Sequence, residues 1–312
     1  MRPDITLHVE PGIVKNWDEF RQQSPPFSMA LDGYVDAPPS FDAAGPHANF
    51  DHHFGVNRLA TRSTSGQVLV AVSLGLFDTF QRDGRGIANV YVNDCDHDVS
   101  LAYWLLCNAD LVSGFRIEMD IVKLIIGEDF LDTTAGAYPV DIHRPAVRKL
   151  VWVFEAYSDA RATGRLSQMG AGEMQAVIEE TARRITCLTR GDAEERDAVG
   201  DYNQIGGSAK WKMIREEGAF ARTKLFSEGT RAFVSVRDRP DGRIDFSIGR
   251  MSPFVDFPLD RIFRQLNAAE GTADSSDRWG GSDTIGGSPR RAGSRLSPAE
   301  VERLIESVIR SG

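Results

Sequence analysis

Cysteine is scarce in this sequence. Cys95, Cys107 and Cys187 are the only three, and none of them belongs to a Cys-x-x-Cys pair. This number and spacing argue against a disulfide framework and against a cysteine-held zinc site. Long apolar runs are lacking as well, because no stretch approaches the roughly 18 residues that span a bilayer. Residues 1–4 also lack the basic and apolar regions of a signal peptide. We therefore expect reduced thiols in a soluble, cytoplasmic protein without a membrane partner.

An excess of positive charge is also missing. Lysine and arginine number 36 against 45 aspartates and glutamates, so the formal net charge is -9. Proteins that hold long nucleic acids usually present a basic face, so we do not expect a long duplex as a partner. The composition is otherwise that of a globular protein, with 41% hydrophobic and 26% charged residues. The acidic balance favours a small phosphorylated molecule or a short nucleotide, bound by a few local cations.

The pattern of hydrophobic residues divides the chain into three segments. Residues 1–145 alternate strand and helix patterns, with a strand at 87–92 followed by an acidic turn and a helix at 99–106. That order is half of a βαβ unit. Residues 146–200 have helical spacing, and residues 201–312 contain antiparallel-strand patterns around a Pro-Asp-Gly turn. We predict an α/β protein in which a mainly parallel-sheet domain is joined by helices to a smaller mixed α/β domain.

The first candidate site is the run Asp51, His52 and His53. A hard divalent ion such as Mn²⁺ accepts carboxylate and imidazole ligands together. Successive side chains of an extended segment point to opposite sides, so both histidines can face one ion only where the chain bends. Gly55 allows such a bend. The alternative is a surface cluster that arose by chance.

The second candidate site is the acidic turn itself. Asp94, Asp96 and Asp98 lie within five residues, between the predicted strand and helix. Ligands collect at the carboxyl ends of strands in open α/β sheets, and carboxylates this close repel one another unless a cation or hydrogen bonds compensate. The alternative is helix capping, for which one aspartate is enough. We interpret the turn as a metal site with Asp94 and Asp96 among the ligands.

Together, these motifs resemble those of the DHH phosphoesterases. That superfamily includes single-strand exonucleases, phosphodiesterases of small oligonucleotides and cyclic dinucleotides, and manganese inorganic pyrophosphatases. Asp51–His53 matches the motif that names the family. Asp94, Asp96 and Ser100 match its Asp-x-Asp motif and the serine-containing helix that follows, and Asp132–Thr133 matches a later aspartate–threonine pair.

The sequence departs from the family pattern at two points. The Asp-x-Asp motif usually precedes the DHH motif, but here it follows by about forty residues, so the order looks permuted. A histidine usually stands four residues before the first aspartate, where this chain has Val90, and His97 is a candidate substitute. The family also places an aspartate at the end of an early strand. Either Asp32 or Asp36 matches that position.

A glycine-rich segment near the end of the chain is the candidate substrate loop. Its glycines are Gly280, Gly281, Gly286 and Gly287. Glycines let backbone N–H groups approach an anion closely, and we expect Arg290 to pair with a phosphate and Trp279 to stack on a base or ring. A flexible linker is the alternative. The segment resembles the glycine-rich loop of the DHH-associated C-terminal domain, in which Arg250 matches the end of a serine-x-arginine strand.

The resemblance implies metal-assisted hydrolysis of a phosphoester. The implied metal ligands are Asp94, Asp96, His52, Asp51, Asp132 and either Asp32 or Asp36. His53 is implied to contact the phosphate or to donate a proton to the leaving oxygen. We expect Mn²⁺ as the cofactor, with Mg²⁺ as an alternative. The expected substrate is a short oligonucleotide or small nucleotide phosphodiester. The alternatives are a phosphatase or pyrophosphatase for a small phosphorylated molecule, and a non-catalytic nucleotide-binding regulator.

Overall fold

The chain forms a mixed α/β fold with two compact units. The computed structural model describes residues 2–113, 118–134, 136 and 138–311. The first unit comprises the residues up to Thr133 together with Pro145–Arg196, and the second comprises Thr134–Arg144 with the residues from Asp197 onward. None of the helices in these described ranges has the length and apolar character that a membrane crossing requires.

The first unit is built on a mainly parallel sheet, as the sequence predicted. Its strands are β1 (Asp4–Val9), β2 (Ser28–Leu31), β3 (Ser40–Asp42), β4 (His47–Phe50), β5 (Gln81–Arg82) and β6 (Arg85–Val92). They are ordered β1-β6-β2-β4-β3, and β5 pairs with β6. Neighbouring strands among β1, β6, β2 and β4 run parallel, while β3 and β5 are antiparallel to their partners. The carboxyl ends of three adjacent strands, β6, β2 and β4, therefore meet at one edge.

The described residues of this unit form eight α-helices. They are α1 (Trp17–Gln23), α2 (Thr64–Ser73), α3 (Leu76–Thr79), α4 (His97–Cys107), α5 (Met119–Thr133), α6 (Pro145–Val153), α7 (Glu155–Ala162) and α8 (Ala171–Arg190), with 3₁₀ turns at Ala109–Leu111 and Arg165–Gln168. Because side chains alternate across a strand, Leu31 and Val90 face the core. They share it with Val68 of α2 and Leu101 of α4.

The helices predicted to connect two domains lie in this same core. This core buries Trp152 of α6 together with Ile178 and Ile185 of α8. The whole segment Pro145–Arg196 belongs to the first unit. Helical periodicity shows that one face of a helix is apolar. It does not show which element covers that face, so a core helix and a connecting helix have the same local pattern.

The second unit has its own mixed sheet. Its strands are β7 (Tyr202–Gly207), β8 (Lys212–Glu216), β9 (Ala232–Asp238), β10 (Ile244–Arg250), β11 (Gly280–Gly281) and β12 (Ile285–Gly287). They are ordered β11-β12-β10-β9-β8-β7, with only the β8–β9 pair parallel. The helices are α9 (Ala221–Ser227), α10 (Leu259–Glu270) and α11 (Pro298–Arg310). Val234, Ile248, Leu266 and Val301 lie in one apolar core that joins this sheet to α10 and α11.

Candidate metal centre

Four side chains from separate parts of the first unit converge at the carboxyl edge of its sheet. Asp32 follows β2, His52 follows β4, Asp98 lies in the first turn of α4, and Asp132 lies near the end of α5. The backbone turns sharply after β2, where Asp32 has a left-handed φ of 49°. Aspartate is one of the few residues besides glycine that adopt this conformation readily. We call Asp32, His52, Asp98 and Asp132 the His52 cluster.

The distances in the His52 cluster are short and all involve one nitrogen. His52 Nε2 lies 2.9 Å from Asp132 Oδ2, 3.4 Å from Asp32 Oδ1 and 3.9 Å from Asp98 Oδ2. The His52 side chain is fully buried. Among the described residues, nevertheless, neither ring nitrogen of His52 nor Asp132 Oδ2 has a hydrogen-bond partner. The atoms are therefore close together without the alignment that a hydrogen bond requires.

This arrangement fits a divalent cation. In octahedral coordination with bonds of about 2.1 Å, neighbouring ligand atoms lie about 3.0 Å apart and opposite ones about 4.2 Å apart. The three distances from His52 Nε2 fall in or close to that interval. The described residues contain two sets of candidate ligands, and within each set the ligand atoms all lie within 4.8 Å of one another. One set is Asp32, His52 and His53, and the other is His52, Asp98 and Asp132. Carboxylate and imidazole donors together suit ions such as Mn²⁺.

Burial and neighbouring charges shift the pKa values of the side chains in the His52 cluster. Burial raises the pKa of Asp98 well above its usual range, and the neighbouring carboxylates of Asp132 and Asp32 raise it further. Burial lowers the pKa of His52, but the carboxylates of Asp132 and Asp32 outweigh it and raise the pKa to about 10. Burial also opposes ionisation of Asp32, yet His52 and His53 lower the pKa of Asp32 overall. Without a cation, buried carboxylates can be stabilised only by protons or by hydrogen-bond donors.

The first turn of α2 supplies some of those donors. Thr64 N donates to Asp98 Oδ2 at 2.5 Å, and Ser65 N donates to Asp98 Oδ1 at 2.8 Å. Thr64 Oγ1 donates to Asp32 Oδ1 at 2.9 Å. The N–H groups at a helix N-terminus have no partner within the helix and favour negative charge. The two N–H groups hold Asp98 in place and the Thr64 hydroxyl holds Asp32, as supporting hydrogen bonds do around ligands of metal sites.

His53 lies at the edge of the cluster. Its ring is partly exposed, and its Nδ1 lies 3.0 Å from Asp51 Oδ1 and 3.5 Å from Asp32 Oδ1. Asp51 is fully buried, and its Oδ2 accepts hydrogen bonds from His53 N and Phe54 N. Both oxygens of Asp51 are thus engaged, and Asp51 orients His53 and belongs to neither set of candidate ligands. The bend expected at Gly55 is present, with a φ of 66°.

The acidic turn contributes Asp98 to the cluster where the sequence favoured Asp94 and Asp96. Asp96 Oδ1 accepts from Val99 N at 2.9 Å and caps α4, and Asp94 Oδ1 accepts from Cys95 N at 2.6 Å. Neither belongs to the two candidate ligand sets. Burial raises the pKa of both carboxyls, and the negative charge of Asp32 raises each of them further. Asp36, the alternative to Asp32, is exposed and also lies outside both sets.

Arg58 is a further residue at this edge. Its side chain is 15% exposed, and its Nη2 donates to the carbonyl oxygen of Asp132 at 3.0 Å and lies 3.6 Å from Asp132 Oδ1. No sequence pattern singled it out, because one arginine in a polar loop carries no signal. Asp98 did have a signal, since it belongs to the same aspartate triplet as Asp94 and Asp96. His97, the candidate substitute for the missing histidine, instead pairs with Glu128 and stacks on Phe154.

The glycine-rich segment of the second unit is a β-hairpin. A Cβ on Gly281 would lie 2.2 Å from Gly286 Cα, and one on Gly286 would lie 2.3 Å from Gly280 O. None of Gly280, Gly281, Gly286 and Gly287 has the left-handed φ that an anion-binding nest uses. Close approach of strands β11, β12 and β10 therefore accounts for Gly281, Gly286 and Gly287.

The aromatic and basic residues near this hairpin have different environments. Trp279 is 1% exposed and donates from Nε1 to Glu270 Oε2, so the predicted stacking of this ring on a ligand is wrong. Arg250 donates to three backbone carbonyl oxygens, those of Asp283, Pro253 and Val255. Its guanidinium thus holds two loops together. Arg290 is exposed.

Comparison with known proteins adds no family to this description: no family model matches the chain, and neither does any curated protein. The fold and the site define an α/β protein with a candidate cation site at the carboxyl edge of a parallel sheet. The resemblance to the DHH phosphoesterases stays a prediction from the motifs.

Proposed function

We propose that this protein is a divalent-metal-dependent phosphoesterase that hydrolyses a short oligonucleotide or small nucleotide phosphodiester. The observation that carries the proposal is the convergence of three carboxylates on His52 Nε2, a buried nitrogen without a hydrogen-bond partner among the described residues. A buried imidazole left in this state costs free energy unless something else binds it. The resemblance of the Asp51–His53 and Asp94–Asp98 motifs to the DHH phosphoesterases supports the reaction class.

In this proposal His52, Asp32, Asp98 and Asp132 hold the cation, and Mn²⁺ is the first choice for their mixed oxygen and nitrogen donors. A bound divalent cation supplies Lewis acidity, lowers the pKa of water and stabilises negative charge that develops on a phosphoryl group. The first turn of α2 fixes Asp98 and Asp32 through the hydrogen bonds from Thr64 and Ser65. The ligands are thus oriented before the substrate arrives.

His53 has the geometry of a proton donor. Its Nδ1 is engaged with Asp51, which fixes the ring, and the doubly protonated ring can deliver its Nε2 proton to the leaving oxygen. The side chain is 36% exposed, so a substrate can reach it from solvent. His52 and His53 therefore have different roles despite their adjacent positions, because His52 is buried and surrounded by carboxylates while His53 lies at the surface.

The substrate class follows from charge and from the family resemblance. The net charge of -9 disfavours a long polyanionic strand. A short nucleotide carries few phosphates and can be bound by a cation and a small number of arginines. The family members that act on small oligonucleotides and cyclic dinucleotides have substrates of this kind.

The test is a panel of substrates assayed with and without Mn²⁺. The panel contains a linear dinucleotide, a cyclic dinucleotide, pyrophosphate and a sugar phosphate, and the assay separates released nucleoside monophosphate from released phosphate. We expect a Mn²⁺-dependent release of nucleoside monophosphate. Asp32→Asn should reduce it by at least about 100-fold, since even supporting residues of metal sites cost 10- to 100-fold.

Asp36→Asn is the matched control, because Asp36 is an exposed aspartate four positions further along the chain. It should retain the activity of the unchanged protein. Equal turnover by Asp32→Asn would contradict the metal centre. Release of phosphate without nucleoside monophosphate would contradict the proposed substrate class.

A further inference from the structure

We propose that Arg58 binds a phosphoryl oxygen of the ligand that occupies the His52 cluster; this inference rests on the proposed function. Arg58 lies in the loop between β4 and α2, where its guanidinium lies beside Asp132. Nη2 is 3.6 Å from Asp132 Oδ1, while the other oxygen, Oδ2, is the one that lies 2.9 Å from His52 Nε2. The Asp132 carboxylate thus lies close to both His52 and the Arg58 guanidinium.

Most of the hydrogen-bonding capacity of Arg58 is unused. A guanidinium carries five N–H donors. Within the described part of the chain, its one hydrogen bond runs from Nη2 to the carbonyl oxygen of Asp132, and the buried Nε has no partner. The contact with Asp132 Oδ1 is too long for a hydrogen bond. Arginine is the residue whose planar fork matches phosphate, and two parallel N–H donors can bind two oxygens of one phosphoryl group.

The charge of the site calls for such a residue. The ionised carboxylates of Asp32, Asp98 and Asp132 carry one negative charge more than a single divalent cation can neutralise. A phosphate would meet net repulsion at that point unless another cation were close. Arg58 is the arginine paired with a carboxylate of the His52 cluster among the described residues. Its positive charge offsets the excess and makes the site compatible with an anionic ligand.

Its low exposure separates Arg58 from the other arginine of the loop, Arg62. Arg62, four positions further along the chain, is exposed, and its side chain makes no ion pair or hydrogen bond within the described residues. Water and salt ions weaken the electrostatic interactions of an exposed arginine. A largely buried one keeps its interactions strong and its geometry defined, because water competes less at such a position.

The experiment measures binding of inorganic phosphate to the full-length protein by calorimetry, with and without Mn²⁺. The variants are Arg58→Gln, Arg58→Lys and the control Arg62→Gln, which makes the same charge change in the same loop. We expect Mn²⁺-dependent phosphate binding that weakens at least about tenfold in Arg58→Gln. Arg58→Lys should lose less, because it keeps the charge and loses the fork. Arg62→Gln should bind phosphate like the unchanged protein.

Affinity for Mn²⁺ alone, measured on the same variants, separates phosphate binding from a merely structural role. If Arg58→Gln loses as much affinity for Mn²⁺ as for phosphate, Arg58 acts through Asp132 and the inference is overturned. Unchanged phosphate affinity in Arg58→Gln also overturns it, as does an unchanged protein that binds Mn²⁺ but no phosphate. A chain that binds no Mn²⁺ at all would overturn the proposed function itself. Thermal unfolding without ligand checks that each variant is folded.

Discussion

Each unit has a group of side chains gathered around buried polar atoms, and the two groups differ in their hydrogen bonds. In the second unit Glu270 is nearly inaccessible, and its neighbours satisfy it. Its Oε2 accepts from Trp279 Nε1 at 3.0 Å and from Ser294 Oγ at 2.5 Å, and its Oε1 accepts from Arg295 N at 2.6 Å. We call Glu270, Trp279, Ser294 and Arg295 the Glu270 group. In the first unit, by contrast, carboxylate oxygens lie close to His52 Nε2 without forming hydrogen bonds to it.

The difference shows which group has capacity left for a ligand. Among the described residues, every buried side-chain nitrogen or oxygen without a hydrogen-bond partner lies in the first unit, and His52, Asp132 and Arg58 account for four of the ten. Native proteins rarely leave such atoms unpaired without a reason. The Glu270 group is therefore complete as a structural element. The His52 cluster is complete only when something binds to it.

The largest expected effect removes the Glu270 carboxylate. Glu270→Ala leaves the buried Trp279 Nε1 and Ser294 Oγ without this acceptor and removes the acceptor of Arg295 N, so we expect the free energy of unfolding to fall by about 3 kcal/mol or more. Urea unfolding followed by tryptophan fluorescence measures it. Affinity for Mn²⁺ should not change. The exposed Asp274→Ala is the control and should have almost no effect. A loss below about 1 kcal/mol would mean that the Glu270 group is not the structural element inferred here.

The His52 cluster should make the stability of the protein depend on a cation. A cation that binds only the folded chain at a concentration of 100 times its dissociation constant adds about 2.7 kcal/mol of stability. We expect Mn²⁺ to raise the unfolding temperature by several degrees and a chelator to reverse the rise. Asp132→Asn should abolish most of it, while Asp36→Asn should preserve it. Differential scanning calorimetry decides this, and an equal rise in Asp132→Asn would place the ion elsewhere.

A pair of glycines tests whether the second unit's hairpin is structural. A Cβ on Gly286 would lie 2.5 Å from Phe263 Cζ as well as 2.3 Å from Gly280 O, whereas a Cβ on Gly280 would meet nothing within 4 Å. Gly286→Ala should cost about 1–3 kcal/mol through overpacking, and Gly280→Ala should be close to neutral. Thermal unfolding of the two variants gives the answer. Similar stabilities for both would argue against the close approach of β11 and β12.

The smallest effect is expected at a carboxylate that is paired but lies near the surface. Hydrogen bonds from Arg183 and Arg184 outweigh burial and lower the pKa of Glu180 to about 2. Because the pKa is lowered on folding, ionised Glu180 stabilises the protein above pH 4.5, and this contribution is lost as the pH falls towards 2. Glu180→Gln should therefore destabilise the protein at pH 6 by less than about 1 kcal/mol, and the difference should shrink below pH 4.5.

Glu179→Gln serves as the control for that pH series. Glu179 is exposed, and its described side-chain partner is the neutral Gln175. Chemical denaturation between pH 6 and pH 3 compares the two variants with the unchanged protein. A Glu180→Gln difference that stayed constant across this range would mean that its arginine pairs do not stabilise the ionised form. Comparing the unfolding free energy lost in Glu180→Gln with that lost in Glu270→Ala would show how strongly burial increases the contribution of a hydrogen-bonded carboxylate to stability.

Much of the first unit could be predicted because its signals are local. The strand pattern before Asp94 and the helix pattern after it predicted half of a βαβ unit, and the carboxyl ends of parallel strands meet at one edge. The choice among Asp94, Asp96 and Asp98 could not be predicted, because it depends on where α4 begins. Asp96 is the N-cap of that helix, and Asp98, two residues later, is turned towards the N-terminus of α2.

The glycine-rich segment shows a different limit of sequence reasoning. Glycines that let a backbone approach a phosphate and glycines that let two strands approach each other have the same composition. Trp279 has the same ambiguity, since an aromatic ring beside glycines is typical both of a stacking site and of a core. Only the packing of Gly286 against Phe263, and the hydrogen bond from Trp279 to Glu270, distinguish these possibilities.

The amino-acid order alone determined the kinds of elements, the mainly parallel sheet, the acidic character and the motif residues that follow the strands. Those properties depend on neighbours in the chain, whose periodicity and turn chemistry can be read directly. The tertiary structure decided which side chains meet, because residues 32, 52, 98 and 132 come together only through the strand order β6-β2-β4 and the packing of α5 against α2. It also decided which buried carboxylates are satisfied, since hydrogen-bond partners distant in sequence become neighbours only when the chain folds.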